Sequence, residues 1–188
     1  MKLKIVSLMF LYLSLYSIYL PTYAAETTTY GNWTVTKKVD EFTGDKSLEA
    51  KIRSINIITG WLSQKGKAYI SIHCGKLNYL TFISIGIEGG VGFNNSFMDF
   101  KVDDNDGVQT FSWNGDIGDD IIFSAVGKGA IFSESSKTPI MFEQMKTGKK
   151  IKIRINPFKT ERQVVEFNLN GSDKALTEVE TFCTELNK

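Results

Sequence analysis

The chain has few of the residues that nucleophilic catalysis and zinc sites require. Its 188 residues include three prolines, two cysteines and one histidine. His73 would have to be the base of any Ser–His pair, and the chain has no Gly-x-Ser-x-Gly elbow. Zinc takes about four ligands, more than two cysteines and one histidine supply. We therefore expect no catalytic residues, no metal and no cofactor, and the sequence favours a protein that is not an enzyme.

Long apolar runs are lacking except at the N-terminus. The segment Ile5–Leu20 carries no charge, follows two lysines and precedes small residues that predict cleavage after Ala24. A retained membrane anchor is the alternative, but a helix of about 16 residues spans about 24 Å, short of the ~30 Å hydrocarbon core. We therefore predict a signal peptide at 1–24 and one domain at 25–188, located in the periplasm or secreted.

The remaining chain lacks an excess of either charge. Without Lys2 and Lys4, 20 of the 22 basic residues remain, against 21 acidic ones. Nucleic-acid binding needs a basic surface, so this balance argues against a nucleic-acid partner. No second long apolar run follows, so we expect no membrane span after signal cleavage.

The two cysteines, Cys74 and Cys183, both lie after the predicted cleavage site. Two cysteines in an oxidising compartment most simply pair with each other. The alternative is a pair of buried thiols. A bridge closing a loop of about 109 residues would stabilise the fold by about 4–5 kcal/mol in the chain-entropy treatment.

Short runs of β-branched and aromatic residues, separated by Gly, Asn and Asp, dominate the rest of the chain. They predict strands at Trp33–Lys38, Ser47–Ile55, Ala68–Cys74, Tyr79–Ile85, Phe97–Val102 and Val108–Trp113. Helical signals predict a short helix near 139–147 and a C-terminal helix from Ser172. The expected fold is mainly β, an antiparallel sandwich-like single domain that starts near Trp33.

The segments 150–156 and 162–169 alternate apolar and charged residues, which predicts an antiparallel hairpin. Pairing Ile153 with Val165 also places Lys152 opposite Glu166. This register puts apolar pairs on one face and an opposite-charge pair on the other.

A series of segments follows one another in a fixed order: Phe100–Asp104, Gln109–Trp113, Ile153–Phe158, the strand Val165–Leu169 and Gly171, together with the two cysteines. This order, over roughly Trp33 to Cys183, resembles that of the VasI-type proteins associated with type VI secretion. The chain departs from that family because it has no cysteine-containing segment before the β domain. The resemblance implies a periplasmic accessory protein that acts by binding an envelope or secretion-system protein.

Candidate contact residues are basic and aromatic. Lys150, Lys152 and Arg154 share one strand face, which could bind an acidic partner or be an ordinary solvated face partly neutralised by Glu166. Trp61 follows a Thr-Gly pair in a loop-like stretch and is a candidate interface anchor.

The acidic turn Asp103–Asp106 fails the EF-hand spacing, so calcium binding there would need a looser site. The same aspartates, joined by Asp116, Asp119 and Asp120, are the basis of one alternative function, an exported hydrolase. Another alternative is an inhibitor of a lytic enzyme or a phage superinfection-exclusion factor.

Overall fold

The protein is described here from a computed structural model. The described residues are 25–59, 65–75, 78–88, 97–103, 108–111, 121–126, 138–155, 160–186 and 188. The predicted signal peptide, 1–24, lies outside them.

Two antiparallel sheets and two helices make up the described structure, so the mainly β prediction is confirmed. The larger sheet has the order β1-β2-β3-β4-β5-β8 and the smaller sheet β10-β9-β6-β7. The strands are β1 Glu26–Tyr30, β2 Trp33–Val39, β3 Lys46–Thr59, β4 Lys65–Gly75, β5 Asn78–Ile87, β6 Phe97–Val102, β7 Val108–Phe111, β8 Ile121–Val126, β9 Lys150–Ile155 and β10 Gln163–Asn168. The helices are α1 Thr138–Thr147 and α2 Ser172–Leu186.

The hairpin predicted near the C-terminus forms in the predicted register. Val165 lies opposite Ile153, and Glu166 lies opposite Lys152. The alternation of apolar and charged residues decides this register, because a slip of one residue would turn the buried isoleucines of β9 to solvent.

One hydrophobic core lies between the two sheets and the helices. The larger sheet contributes Trp33, Leu48, Ile70 and Ile85, all at most 2% exposed, and the smaller sheet contributes Phe167. Helix α2 covers part of this core with an apolar face that includes Leu176, Val179 and Cys183. In the part of the chain that the structure describes, neither helix is long and apolar enough to cross a membrane.

Strand β1 precedes Trp33–Lys38, which the sequence predicted as the first strand. Strand β1 pairs with β2 through a two-residue turn at Gly31 and Asn32. This turn packs against the turn between β10 and α2, where the Asn32 amide donates to the Asn170 carbonyl at 3.0 Å. Gly171 has a φ of 87°, and a Cβ there would overlap the Tyr30 carbonyl. A threonine-rich segment with little apolar alternation therefore becomes a strand through tertiary contacts.

The two sheets meet where β3 passes the outer edge of β10. The side-chain amide of Asn56 donates to the Val164 carbonyl at 2.9 Å and accepts from the Glu166 amide at 2.8 Å. The side chain of Gln163 bonds both backbone groups of Thr59 in the same way. The Asn56 amide thus takes the place of strand backbone along the edge of β10, and the Gln163 amide does the same for the last residue of β3.

Candidate functional site

The two cysteines are joined. Cys74 lies on the inner face of β4 and Cys183 on the buried face of α2, with 5.9 Å between their Cα atoms. The predicted pairing is confirmed. The bond links the C-terminal helix to the middle of the larger sheet across 109 positions of sequence.

The basic face of β9 is exposed as predicted, but its lysines and arginine form ion pairs with acidic side chains of the same chain. Lys150 Nζ lies 2.7 Å and Lys152 Nζ 3.7 Å from the Glu166 carboxylate. Arg154 bonds the Asp99 carboxylate at 2.7 Å. The ammonium groups, Lys150 first, lower the pKa of Glu166. The predicted partial neutralisation by Glu166 is present. Sequence reasoning missed Asp99, which reaches this face only because β6 pairs with β9.

The first carboxylate of the acidic turn, that of Asp103, bonds the backbone at the start of β9. Asp103 adopts a left-handed conformation, with a φ of 50°, and its carboxylate accepts from the backbone amides of Lys149 and Lys150 at 3.0 Å each. Asp104 and Asp106 lie outside the described residues, as do Asp116, Asp119 and Asp120. Among the residues that are described, no group of three or more acidic, His or Cys side chains is placed to hold a metal ion.

The one histidine belongs to a polar network on the outer face of the larger sheet. His73 Nε2 lies 3.3 Å from Ser84 Oγ, and Ser71 Oγ donates to Glu49 at 2.8 Å. Glu49 is 4.0 Å from the same Nε2 atom. A catalytic triad needs the acid on the other ring nitrogen and a reachable hydroxyl, whereas Ser71 and Ser84 are at most 2% exposed. The network satisfies buried hydroxyl groups.

The structure describes only one of the three tryptophans, Trp33. Trp33 is fully buried in the core. Trp61, the proposed interface anchor, and Trp113 lie outside the described residues. The structure instead exposes an aromatic residue that sequence reasoning passed over, Phe42, in the turn between β2 and β3.

Phe42 is held at the tip of a rigid hairpin. Its side chain is fully exposed, and Val39 beside it is 42% exposed. The Asp40 carboxylate accepts from the Phe42 amide at 2.9 Å and the Thr43 amide at 2.8 Å, and the Gly44 amide donates to the Asp40 carbonyl at 2.8 Å. The Thr43 and Phe42 amides lower the pKa of Asp40. The sequence signal for this turn is an Asp followed four residues later by a Gly, which is typical of turns.

A second exposed feature is an open groove of about 460 Å³ between β1 and α2. Tyr30 lines it from the strand, and Asp173, Lys174, Thr177, Glu178 and Thr181 line it from the helix. Glu178 also pairs with Lys37 at 2.7 Å and raises the pKa of both Lys37 and Tyr30. The groove is therefore lined by charged residues and threonines of α2, with Tyr30 on the strand side.

The fold, but not the sequence, has a counterpart among known proteins. No family model and no curated protein matches the chain. The crystal structure of invasion associated protein B from Bartonella henselae is similar, with a TM-score of 0.51 over 84% of this chain and 98% of that one. The two sequences are 14% identical, so the similarity concerns the fold alone.

Proposed function

We propose that this chain is an exported accessory protein that acts by binding another protein of the cell envelope, in the periplasm or outside it. The association with type VI secretion that the VasI resemblance implies is part of this proposal. The observation that carries it is the fully exposed Phe42 at the tip of a rigid hairpin.

Phe42 contributes little to the stability of its own fold, because its side chain is fully exposed. Burying a phenylalanine is worth about 1.5–3 kcal/mol, which a partner with an apolar pocket would gain. Aromatic anchors of this kind often dominate protein interfaces. Phe42 is therefore better explained as a contact for a partner than as a support for the chain.

The rigid turn makes Phe42 a favourable anchor. Binding normally costs free energy to order loops at an interface. Here the carboxylate of Asp40 and the hydroxyl of Thr43 take part in four hydrogen bonds within the turn, so much of that ordering is already complete. We expect a partner with an apolar pocket and a polar rim.

The basic face of β9 is a weaker candidate for the main contact. Lys150, Lys152 and Arg154 already have acidic neighbours on their own chain. Exposed ion pairs of this type contribute about 0–1 kcal/mol. We assign this face a secondary role at the rim, and substituting Lys152 by Glu should change partner binding less than removing Phe42.

The test uses two exposed apolar residues at different places. The exported protein, its Phe42→Ala variant and its Ile57→Ala variant are each used to capture partners from native envelope. Ile57, on β3, is 63% exposed and serves as the matched control. Loss of Phe42 should weaken capture about tenfold to a hundredfold, with an unchanged melting temperature. Equal capture by the two variants would refute the role of Phe42.

Export has a separate test. The mature protein recovered from the envelope should begin at Ala25 by intact mass. Recovery of a chain that still begins at Met1 would contradict the cleavage.

A further inference from the structure

Strand β1 forms an outer edge of the larger sheet. Within the described residues, it pairs with β2 on one side and with no strand on the other. Exposed edges are templates for pairing with another strand, and proteins usually block them with proline, lysine, bulges or covering segments. Between Glu26 and Tyr30 there is neither proline nor lysine.

Two other edges that the structure describes have a neighbour. The side-chain amide of Asn56, on β3, bonds backbone groups along the outer edge of β10. Helix α1 packs beside β8. The edge of β1 contrasts with these two edges.

The turn geometry shows which backbone groups of β1 point outward. A two-residue turn with a positive φ at Gly31 joins Tyr30 to Trp33, so Tyr30 directs its backbone groups toward β2. Because this direction alternates along an antiparallel strand, Thr27 and Thr29 direct their N–H and C=O groups away from the sheet. Thr28 lies midway between these two outward-facing residues.

Helix α2 leaves space beside that edge. The groove between Tyr30 and α2 lies on this side of the helix, and its exposed lining residues are Asp173, Lys174, Thr177 and Thr181. The two threonines are four residues apart and therefore adjacent on one helix face.

We propose that the occupant of this edge is β1 of a second copy of the chain, paired antiparallel about Thr28. In this register Thr27 lies opposite Thr29 of the second copy, so their outward backbone groups form four hydrogen bonds between the copies. The larger sheet becomes continuous across a two-fold axis, which is the commonest symmetry of homodimers.

The edge of β1 is complementary to itself. Thr27 and Thr29 lie symmetrically about Thr28, so a second copy in antiparallel orientation presents the matching outward N–H and C=O groups at the same spacing. The pairing also places Glu26 of each copy opposite Tyr30 of the other, beside a groove that Asp173, Lys174 and Glu178 line, where Glu178 is paired with Lys37. The dimer does not depend on Phe42, so this inference and the proposed function can fail separately.

The first experiment measures self-association by sedimentation equilibrium on the exported, disulfide-bonded protein. We expect a reversible dimer at high concentration, because one pair of short strands is a small interface. Thr29→Pro removes an outward N–H and should weaken the dimer at least tenfold. Thr29→Val keeps that N–H and should leave dimerisation unchanged, as should Phe42→Ala. A monomer at all concentrations, or equal dimerisation of the proline and valine variants, would overturn the proposal.

The second experiment tests the register with single added cysteines. Thr28 and its counterpart form a non-hydrogen-bonded pair with Cα atoms about 4.5 Å apart, which a disulfide can bridge. Thr29 and its counterpart are two positions out of register and too far apart. Thr28→Cys should therefore give a disulfide-linked dimer on non-reducing gels, and Thr29→Cys should not. Equal cross-linking by the two variants would overturn the register.

Discussion

Gly171 lies where two backbone turns touch, and substituting it by alanine provides a quantitative test of that contact. The residue has a φ of 87°, and an added Cβ would overlap the Tyr30 carbonyl and lie 2.9 Å from the Gly31 nitrogen. All of these neighbours are backbone atoms. The turn between β1 and β2 would therefore have to move away from the turn between β10 and α2.

The loss of stability caused by this contact is estimated by comparison with Gly44. That residue has a φ of 71° but no atom within 4 Å of an added Cβ. Both substitutions carry the left-handed strain of about 1–2 kcal/mol. Only Gly171→Ala also forces a backbone displacement, which costs about 1–3 kcal/mol, and weakens the bond between Asn32 and Asn170, worth about 1 kcal/mol. The two variants should therefore differ by roughly 2–4 kcal/mol.

Thermal unfolding followed by circular dichroism measures this difference. For a domain of 150–250 residues, 1 kcal/mol corresponds to about 2–4 °C in melting temperature. Gly171→Ala should melt about 4–16 °C below Gly44→Ala. Equal melting temperatures for the two variants would show that the turns do not hold each other in place.

Three further predictions concern the disulfide, the hairpin tip and the junction between the sheets. Replacing Cys74 and Cys183 together by serine should lower the free energy of unfolding by about 4–5 kcal/mol, measured by urea denaturation, and reductant should have no further effect on that variant. The pKa of Asp40 is lower in the fold than in the unfolded chain, so its contribution to stability should be present above pH ~4 and lost as the pH falls further. The difference in melting temperature between the wild type and Asp40→Asn should accordingly shrink between pH 6 and pH 3, and a constant difference would contradict this. Asn56→Ala should lower the urea midpoint by the equivalent of about 1–2 kcal/mol, since it removes two bonds to the edge of β10, whereas Val164→Ala should have little effect.

The sequence alone predicted the elements whose pattern is local. The hairpin of β9 and β10 has its predicted register because Ile151, Ile153 and Ile155 alternate with charged residues, and a slip would expose them. Helix α1 follows from the Thr-Pro pair at its start, and α2 from the spacing of Leu176, Val179 and Cys183. The pairing of the cysteines needed only their number and the predicted compartment.

The features of the candidate sites depended on contacts between distant segments. The threonines and tyrosine of Glu26–Tyr30 favour a strand but lack the apolar alternation that would give its pairing, and the turn that follows β1 packs against Gly171. Asp99 neutralises Arg154 only because β6 pairs with β9. The turn that holds Phe42 has a local sequence signal, but the full exposure of its side chain does not. Local periodicity therefore determined the register, the helices and the core faces. Sheet order, edge exposure and charge pairing join residues far apart in the chain, so only the tertiary structure decided them.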